Sequence, residues 1–256
     1  MEVKDINKEI REKKVIVFDL DKTLAKSKSP VDDDIATILS ELLEKYKISV
    51  ITGGKLEQLI KQVVEHLEVS PDRFLNLYLQ PTSGSALYTW QNNEWREIYN
   101  EKIPESERKM IISALNKAVQ ESGIEIPEEV YGERIEDRGS QITFSALGQN
   151  APYEVKSDWD KDLEKRKKIQ RILAPKIPEY EVAIGGVSSI DITKKGLNKG
   201  YGVWRLSREL GIEIKDMLFV GDRLESGGND HSVIGTGIDW IDVENIEETK
   251  TLLSKF

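Results

Sequence analysis

Asp19 and Asp21 stand two residues apart, directly behind the apolar run Val15-Ile16-Val17-Phe18. Two like charges at the edge of a core need either solvent or chemistry to account for them. A carboxylate there can attack phosphorus, forming an acyl phosphate that splits one difficult displacement into two easier ones. A second carboxyl group can protonate the leaving oxygen and then deprotonate the acceptor. Lys199 adds a fixed positive charge, and Thr52-Gly53-Gly54 adds a hydroxyl and main-chain N–H groups for phosphoryl oxygens. Mg²⁺ held by Asp19, Asp222 and a main-chain carbonyl would offset the repulsion between a carboxylate and a phosphate dianion. Together these residues describe phosphoryl transfer, with Asp19, Asp21, Thr52 and Lys199 as its catalytic groups. Singly, each has a plainer reading: a solvated strand end for the aspartates, a helix cap for Thr52, turns for Gly53-Gly54 and Gly227-Gly228, and a surface position for Lys199.

What joins them is their place in the chain. Val15 to Phe18 reads as a strand buried on both faces, and Ile48 to Ile51 as a second one. A third covers Phe74 to Leu79. Between them, Ile35, Ile38, Leu39, Leu42, Leu43 and Tyr46 follow helical spacing, as do Leu56, Leu59, Ile60, Val63, Val64 and Leu67. Alternation of strand and helix predicts a parallel sheet, whose strands deliver the residues behind their carboxyl ends to one crevice. Asp19, Asp21, Thr52 and Asp222 all follow predicted strands, and Lys199 enters a predicted helix over 198–210.

Between about Ser85 and Asp191 the pattern changes. Leu87 to Trp90 and Trp95 to Tyr99 look like a hairpin, 105–121 a helix, Ser140 to Leu147 a strand, Trp159 to Leu173 a second helix, and Tyr180 to Ile184 the start of another strand. The expectation is an α/β core of residues 1–85 and 192–256, interrupted by an α+β domain of residues 86–191.

The composition closes off other classes. With no cysteine and only two histidines, thiolate chemistry and histidine-rich metal sites are excluded, so a metal must sit on oxygen. A net charge of −9 argues against nucleic acid as a partner. No apolar run is long enough for a membrane span, and the charged start MEVKDINKEIREKK lacks a signal core, so the expected compartment is the cytoplasm.

In order, Asp19-Leu20-Asp21-Lys22-Thr23, Thr52, Lys199 and Gly221-Asp222 with Asn229-Asp230 resemble the signature of the haloacid dehalogenase superfamily. The insertion between Thr52 and Lys199 matches the class IIB cap position. Ile184-Gly185-Gly186-Val187-Ser188-Ser189-Ile190-Asp191-Ile192-Thr193 and the widened loop Gly221 to Asp230 are similar to the eukaryotic-type phosphomannomutase branch and its bacterial relatives. The resemblance implies a Rossmann-like parallel-sheet core with a class IIB cap, and a Mg²⁺ site drawn from Asp19, Asp21, Asp222, Asn229 and Asp230. It implies sugar contacts from Ser189 and Asp191, and phosphate contacts from Gly53, Gly54, Lys28, Arg134 and Arg138. It also implies a phosphorylated sugar as partner and a homodimer through the cap.

Two departures bear on the activity. Gln149 stands where the mutases carry a cap arginine, and Lys28 where they have an arginine behind the aspartate motif. Lysine keeps the charge but loses the two-pronged donor geometry that suits phosphate. A mutase must clamp a second phosphate in its cap, whereas a phosphatase needs one phosphate site and water. The sequence therefore reads as a hexose-phosphate phosphatase working through an aspartyl-phosphate. The alternatives are a phosphohexomutase and a noncatalytic sugar-phosphate sensor. Lys22 replaces the usual glycine, which the sequence does not explain.

Overall fold

Strand β1 (Val15–Asp19) is buried along its whole length because both of its faces are covered. Val15 and Val17 pack with Val203, Leu206 and Phe219, whereas Ile16 and Phe18 pack with Ile35, Leu39 and Leu59. This two-sided burial is why the strand reads as an unbroken apolar run. The computed structural model describes residues 12–185 and 187–254. The first eleven residues of the expected core and Gly186 of the cap motif lie outside them.

The chain divides into two units by contact, Met1–Asn100 with Leu197–Phe256, and Glu101–Gly196. In the first, β1 is flanked by β2 (Lys47–Ile51) and β10 (Met217–Gly221), with β3 (Leu77–Gln80) and β11 (Asp239–Asp242) outside them, all parallel. Helices α1 (Asp33–Leu42), α2 (Leu56–Gln62), α6 (Lys199–Leu210) and α7 (Ile246–Leu253) complete it. Asp32 starts α1 by accepting the Ile35 N–H at 3.0 Å.

The hairpin β4 (Ala86–Gln91) and β5 (Glu94–Asn100), assigned from the sequence to the inserted domain, belongs instead to this first sheet. It extends the strand order to β11-β10-β1-β2-β3-β4-β5, with β4 antiparallel to β3. Its turn residues Asn92 and Asn93 both have positive φ, matching the turn that suits a tight hairpin. Leu87 and Tyr99 bury beside Val203 and Phe219, and Trp90 and Trp95 meet edge to face at 5.3 Å. Their alternation announced a strand pair but not the sheet it would join.

The second unit holds an antiparallel sheet β6 (Ile135–Asp137), β7 (Gln141–Ser145), β9 (Ser189–Lys194) and β8 (Tyr180–Gly185), in that order. Ile142, Phe144, Ile190 and Ile192 face α3 (Glu105–Ser122) and α5 (Glu164–Leu173), packing with Ile111, Leu115 and Ile169. The single helix expected over 159–173 is broken. Helix α4 (Tyr153–Trp159) stops at Asp160, and Leu163 adopts φ 65° before α5 begins. Asp160 causes the break: its carboxylate accepts the N–H groups of Lys165 (2.9 Å) and Arg166 (3.2 Å) and pairs with Arg166 Nε at 2.7 Å. Both side chains are buried, so the pair must be fully hydrogen-bonded to be tolerated. No helix among the described residues is long and apolar enough to cross a membrane.

Helix α6 approaches the core backbone to backbone. A Cβ at Gly202 would lie 2.7 Å from Ile51 Cδ1 and 2.9 Å from Gly84 Cα, and the Gly202 carbonyl accepts from Gln80 Nε2 at 2.9 Å. Gly202→Ala should therefore destabilise the protein by about 1–3 kcal/mol, as overpacking does. Urea unfolding would measure it, and an unchanged midpoint would contradict this close contact.

Candidate active site

The strand register sets the site. Asp19 lies opposite Ile51, and Phe18 opposite Val220, so the carboxyl ends of β2, β1 and β10 finish level. The residues that leave those ends, Thr52, Asp19 and Asp222, are the ones the sequence singled out. Lys199 is the first residue of α6, whose start is capped by Asn198 accepting the Tyr201 N–H at 3.1 Å.

Lys199 Nζ donates to Asp19 Oδ1 and, at 2.5 Å, to Asp230 Oδ1. All three side chains are almost wholly buried. Thr23 Oγ1 donates to Asp19 Oδ2 at 3.5 Å, a contact beyond the expected site although Thr23 ends the aspartate motif. Asp230 Oδ2 accepts the Arg223 N–H at 3.2 Å. Gly221 permits this arrangement, since a Cβ there would lie 2.5 Å from Asp230 Oδ2.

Asp19, Asp222 and Asp230 each offer an oxygen within 4.8 Å of the others. Burial pushes the Asp19 carboxyl well above the usual carboxylate range; Lys199 opposes this, while Asp230 and Asp21 add repulsion. Asp222 is pushed up to about 6, by burial and then by Asp230. Burial alone would lower the Lys199 pKa, but Asp19 and Asp230 outweigh it and hold the ammonium charged. Three carboxylates thus face one ammonium, and the excess negative charge among hard oxygen donors fits Mg²⁺. Asp19, Asp222 and Asp230 would hold it, and when bound it would supply charge neutralisation to an incoming phosphate.

Not every expected ligand joins this group. The Asp21 carboxylate is outside it, because β1 has ended and the chain turns; Asp21 Oδ1 instead accepts the Lys28 N–H at 3.3 Å. That leaves Asp21 available for proton transfer. Asn229 is exposed in its loop. At the next strand end, Thr52 Oγ1 accepts the Gly54 N–H at 3.2 Å, and the turn is tied down by Thr82 N–H to Gly54 O (2.8 Å) and Ser83 N–H to Thr52 O (2.8 Å).

In the second unit, β7 and β9 pair Thr143 with Asp191 and Ser145 with Ser189 on the face away from the helices. Asp191 Oδ1 accepts from Thr143 Oγ1 at 2.8 Å, and Thr143 Oγ1 accepts from Gln141 Nε2 at 2.9 Å. Burial raises the Asp191 carboxyl, and Arg138 is the leading opposing charge. Gly185 makes room for it, since a Cβ there would lie 2.1 Å from Asp191 Oδ2. Arg138 pairs with Glu136 at 2.6 Å and reaches Gln149 Oε1 at 3.5 Å. Arg134 does not join the polar face, for its guanidinium donates to the carbonyls of Ala146 (3.1 Å), Pro127 and Glu128 (3.4 Å). Sequence reasoning missed Gln141, Thr143 and Glu136. The polar alternation of β6 and β7 carried the signal.

A mostly parallel sheet with this lysine and acidic cluster at its strand ends defines an α/β core with a charged site at its carboxyl edge. The chain belongs to the haloacid dehalogenase-like hydrolases, whose family model matches residues 16–234. Within that superfamily its sequence relatives put it in the phosphomannomutase-like branch. It is 26% identical over 226 residues to phosphomannomutase 2 of Dictyostelium discoideum, covering 86% of each chain. It is 27% identical over 231 residues to phosphomannomutase of Saccharomyces cerevisiae, covering 86% of this chain and 84% of that one. Among solved structures, Plasmodium falciparum IMP-nucleotidase matches 98% of this chain and 69% of its own, with TM-score 0.69 and 20% identity. The C-terminal domain of Candida albicans (C. albicans) trehalose-6-phosphate phosphatase matches 90% and 76%, with TM-score 0.61 and 18% identity. At these identities the structures establish a shared fold.

A proton on Asp222 competes with a cation, so Mg²⁺ affinity should fall as the pH drops through about 6, by roughly tenfold per pH unit below it. The same raised value means that the metal-free fold holds a proton the unfolded chain would release. Asp222 therefore costs the metal-free fold stability as the pH rises from the ordinary carboxylate range through about 6. Calorimetric Mg²⁺ titrations between about pH 5 and 7 would show the first trend; a flat binding constant would contradict the ligand role of Asp222.

Proposed function

We propose that this protein is a Mg²⁺-dependent hexose-phosphate phosphatase. Asp19 attacks phosphorus, the bond from phosphorus to the sugar oxygen breaks, and Asp21 gives that oxygen its proton. Asp21 then takes a proton from water, whose oxygen attacks the aspartyl-phosphate and releases inorganic phosphate and free Asp19. Lys199 keeps Asp19 in place, and Thr52 with the Gly53 and Gly54 main chain holds phosphoryl oxygens. Asp191 and Ser189 would take sugar hydroxyls. A noncatalytic sensor would have no use for a nucleophile paired to a buried lysine. The cytoplasm suits such a substrate.

The observation that carries the choice of water is the charge on the cap sheet. Arg138 is already paired with Glu136, Gln149 stands where the mutases have a second arginine, and Arg134 is taken up by main-chain carbonyls. That face suits neutral hydroxyls better than a second phosphate. The second reading is a phosphohexomutase, in which the acceptor is a sugar hydroxyl. The relatives from Dictyostelium discoideum and Saccharomyces cerevisiae favour it over hydrolysis, since both are named phosphomannomutases and match over most of their length.

Asp19→Asn should lower turnover by about 10³-fold or more, the scale for losing a nucleophile that works as part of a unit, while far-UV circular dichroism stays native. Undiminished turnover would sink the assignment. Mannose 1-phosphate and glucose 1-phosphate, incubated with Mg²⁺ and a trace of hexose bisphosphate, separate the two readings. Free phosphate supports hydrolysis, and 6-phosphate accumulating without it supports the mutase.

A further inference from the structure

The loop behind β1 closes tightly. The N–H groups of Leu24 and Ala25 donate to Leu20 O at 2.9 and 3.0 Å, and the Lys22 N–H donates to Ala25 O at 2.6 Å. To close it, Lys22 takes φ 66°, the left-handed region in which a side chain crowds its own backbone and glycine is the natural occupant. Thr23 and Leu24 are fully buried and, with these hydrogen bonds, hold Lys22 in that conformation while leaving its side chain exposed. Backbone strain held in this way clusters at functional sites. Lys22 sits between Asp21 and Thr23, whose hydroxyl donates to Asp19 Oδ2 at 3.5 Å, so the loop that carries it is tied to the acidic cluster.

We propose that Lys22 is a substrate-binding residue of this chain: from its left-handed position between Asp21 and Thr23, its ammonium meets the phosphate dianion of the incoming monoester. This rests on Asp19 and its cluster being the phosphoryl-transfer site, and it names a further cation there. The role is electrostatic. A dianion approaching Asp19, Asp21, Asp222 and Asp230 meets repulsion that Lys199, already engaged with two carboxylates, does not remove alone.

The test compares the wild type with Lys22→Gly, Lys22→Asn and Lys22→Arg, all loaded with Mg²⁺. Glycine and asparagine accept the left-handed backbone, so neither should lower the thermal midpoint. Both should weaken inorganic phosphate binding, read by calorimetry, and raise the KM for hexose 1-phosphate by about three- to fivefold, the worth of an exposed charge pair. Lys22→Arg should retain most of the wild-type affinity. Unchanged phosphate affinity in the glycine and asparagine variants overturns the proposal, whatever happens to the midpoint. If the wild type turns over no hexose phosphate, the hydrolytic reading fails, and the calorimetric comparison still decides the role of Lys22.

Discussion

The contact on which the rest of the core depends is the one between Lys199 and the two carboxylates it holds, Asp19 and Asp230. Buried ions are costly unless paired and hydrogen-bonded, so every segment that brings one of these groups in must be positioned closely. β1 carries Asp19 to the middle of the sheet, and Asn198 fixes the start of the helix bearing Lys199. The loop behind β10 folds back so that Asp230 returns over Gly221, where a side chain would collide with it. Gly202 serves the same end by letting that helix lie against the turn at Gly84. One ammonium does not neutralise Asp19, Asp222 and Asp230, and this excess of oxygen donors suits the cluster to a cation.

The sheet of the second unit works by opposite means. Its polar face is balanced internally: Glu136 offsets Arg138, and Thr143 and Gln141 order the Asp191 carboxylate. Such a surface presents oriented donors and acceptors with little net attraction for an anion, which is the physical content of the hydrolytic reading. Asp160 and Arg166 stabilise the frame behind it, with Arg166 Nη1 donating to the Gly185 carbonyl at 2.9 Å at the end of β8.

The legible parts of the sequence were those where one local pattern has one physical outcome. The apolar run at Val15 meant a strand covered on both faces, and the placement of Asp19, Thr52 and Asp222 behind strands followed from parallel topology. The helix bearing Lys199 was equally readable, expected over 198–210 and found at Lys199–Leu210, since its signals are local. Other outcomes turned on partners remote in sequence. The hairpin at 86–100 alternates as a strand pair would in either sheet, and burial of Leu87 and Tyr99 against Val203 decided which. The break after Trp159 depended on Asp160 capping the next helix and meeting Arg166, within a charged stretch that still looked helical. Arg134 is a cation in a plausible place, but the carbonyls it serves come from Pro127, Glu128 and Ala146.

By itself the sequence determined the candidates for chemistry, the carboxylates, the lysine and the threonine, and which strand ends they follow, because residue type and periodicity are written along the chain. Only the tertiary structure decided which charges are spent on one another. It joined Lys199 to both Asp19 and Asp230, left the Asp21 carboxylate outside the acidic cluster, and paired Arg138 with Glu136. It also gave the unexplained Lys22 a strained, exposed position next to Asp21. Those outcomes depend on distances and burial between segments far apart in the chain, and no local pattern of residues specifies them.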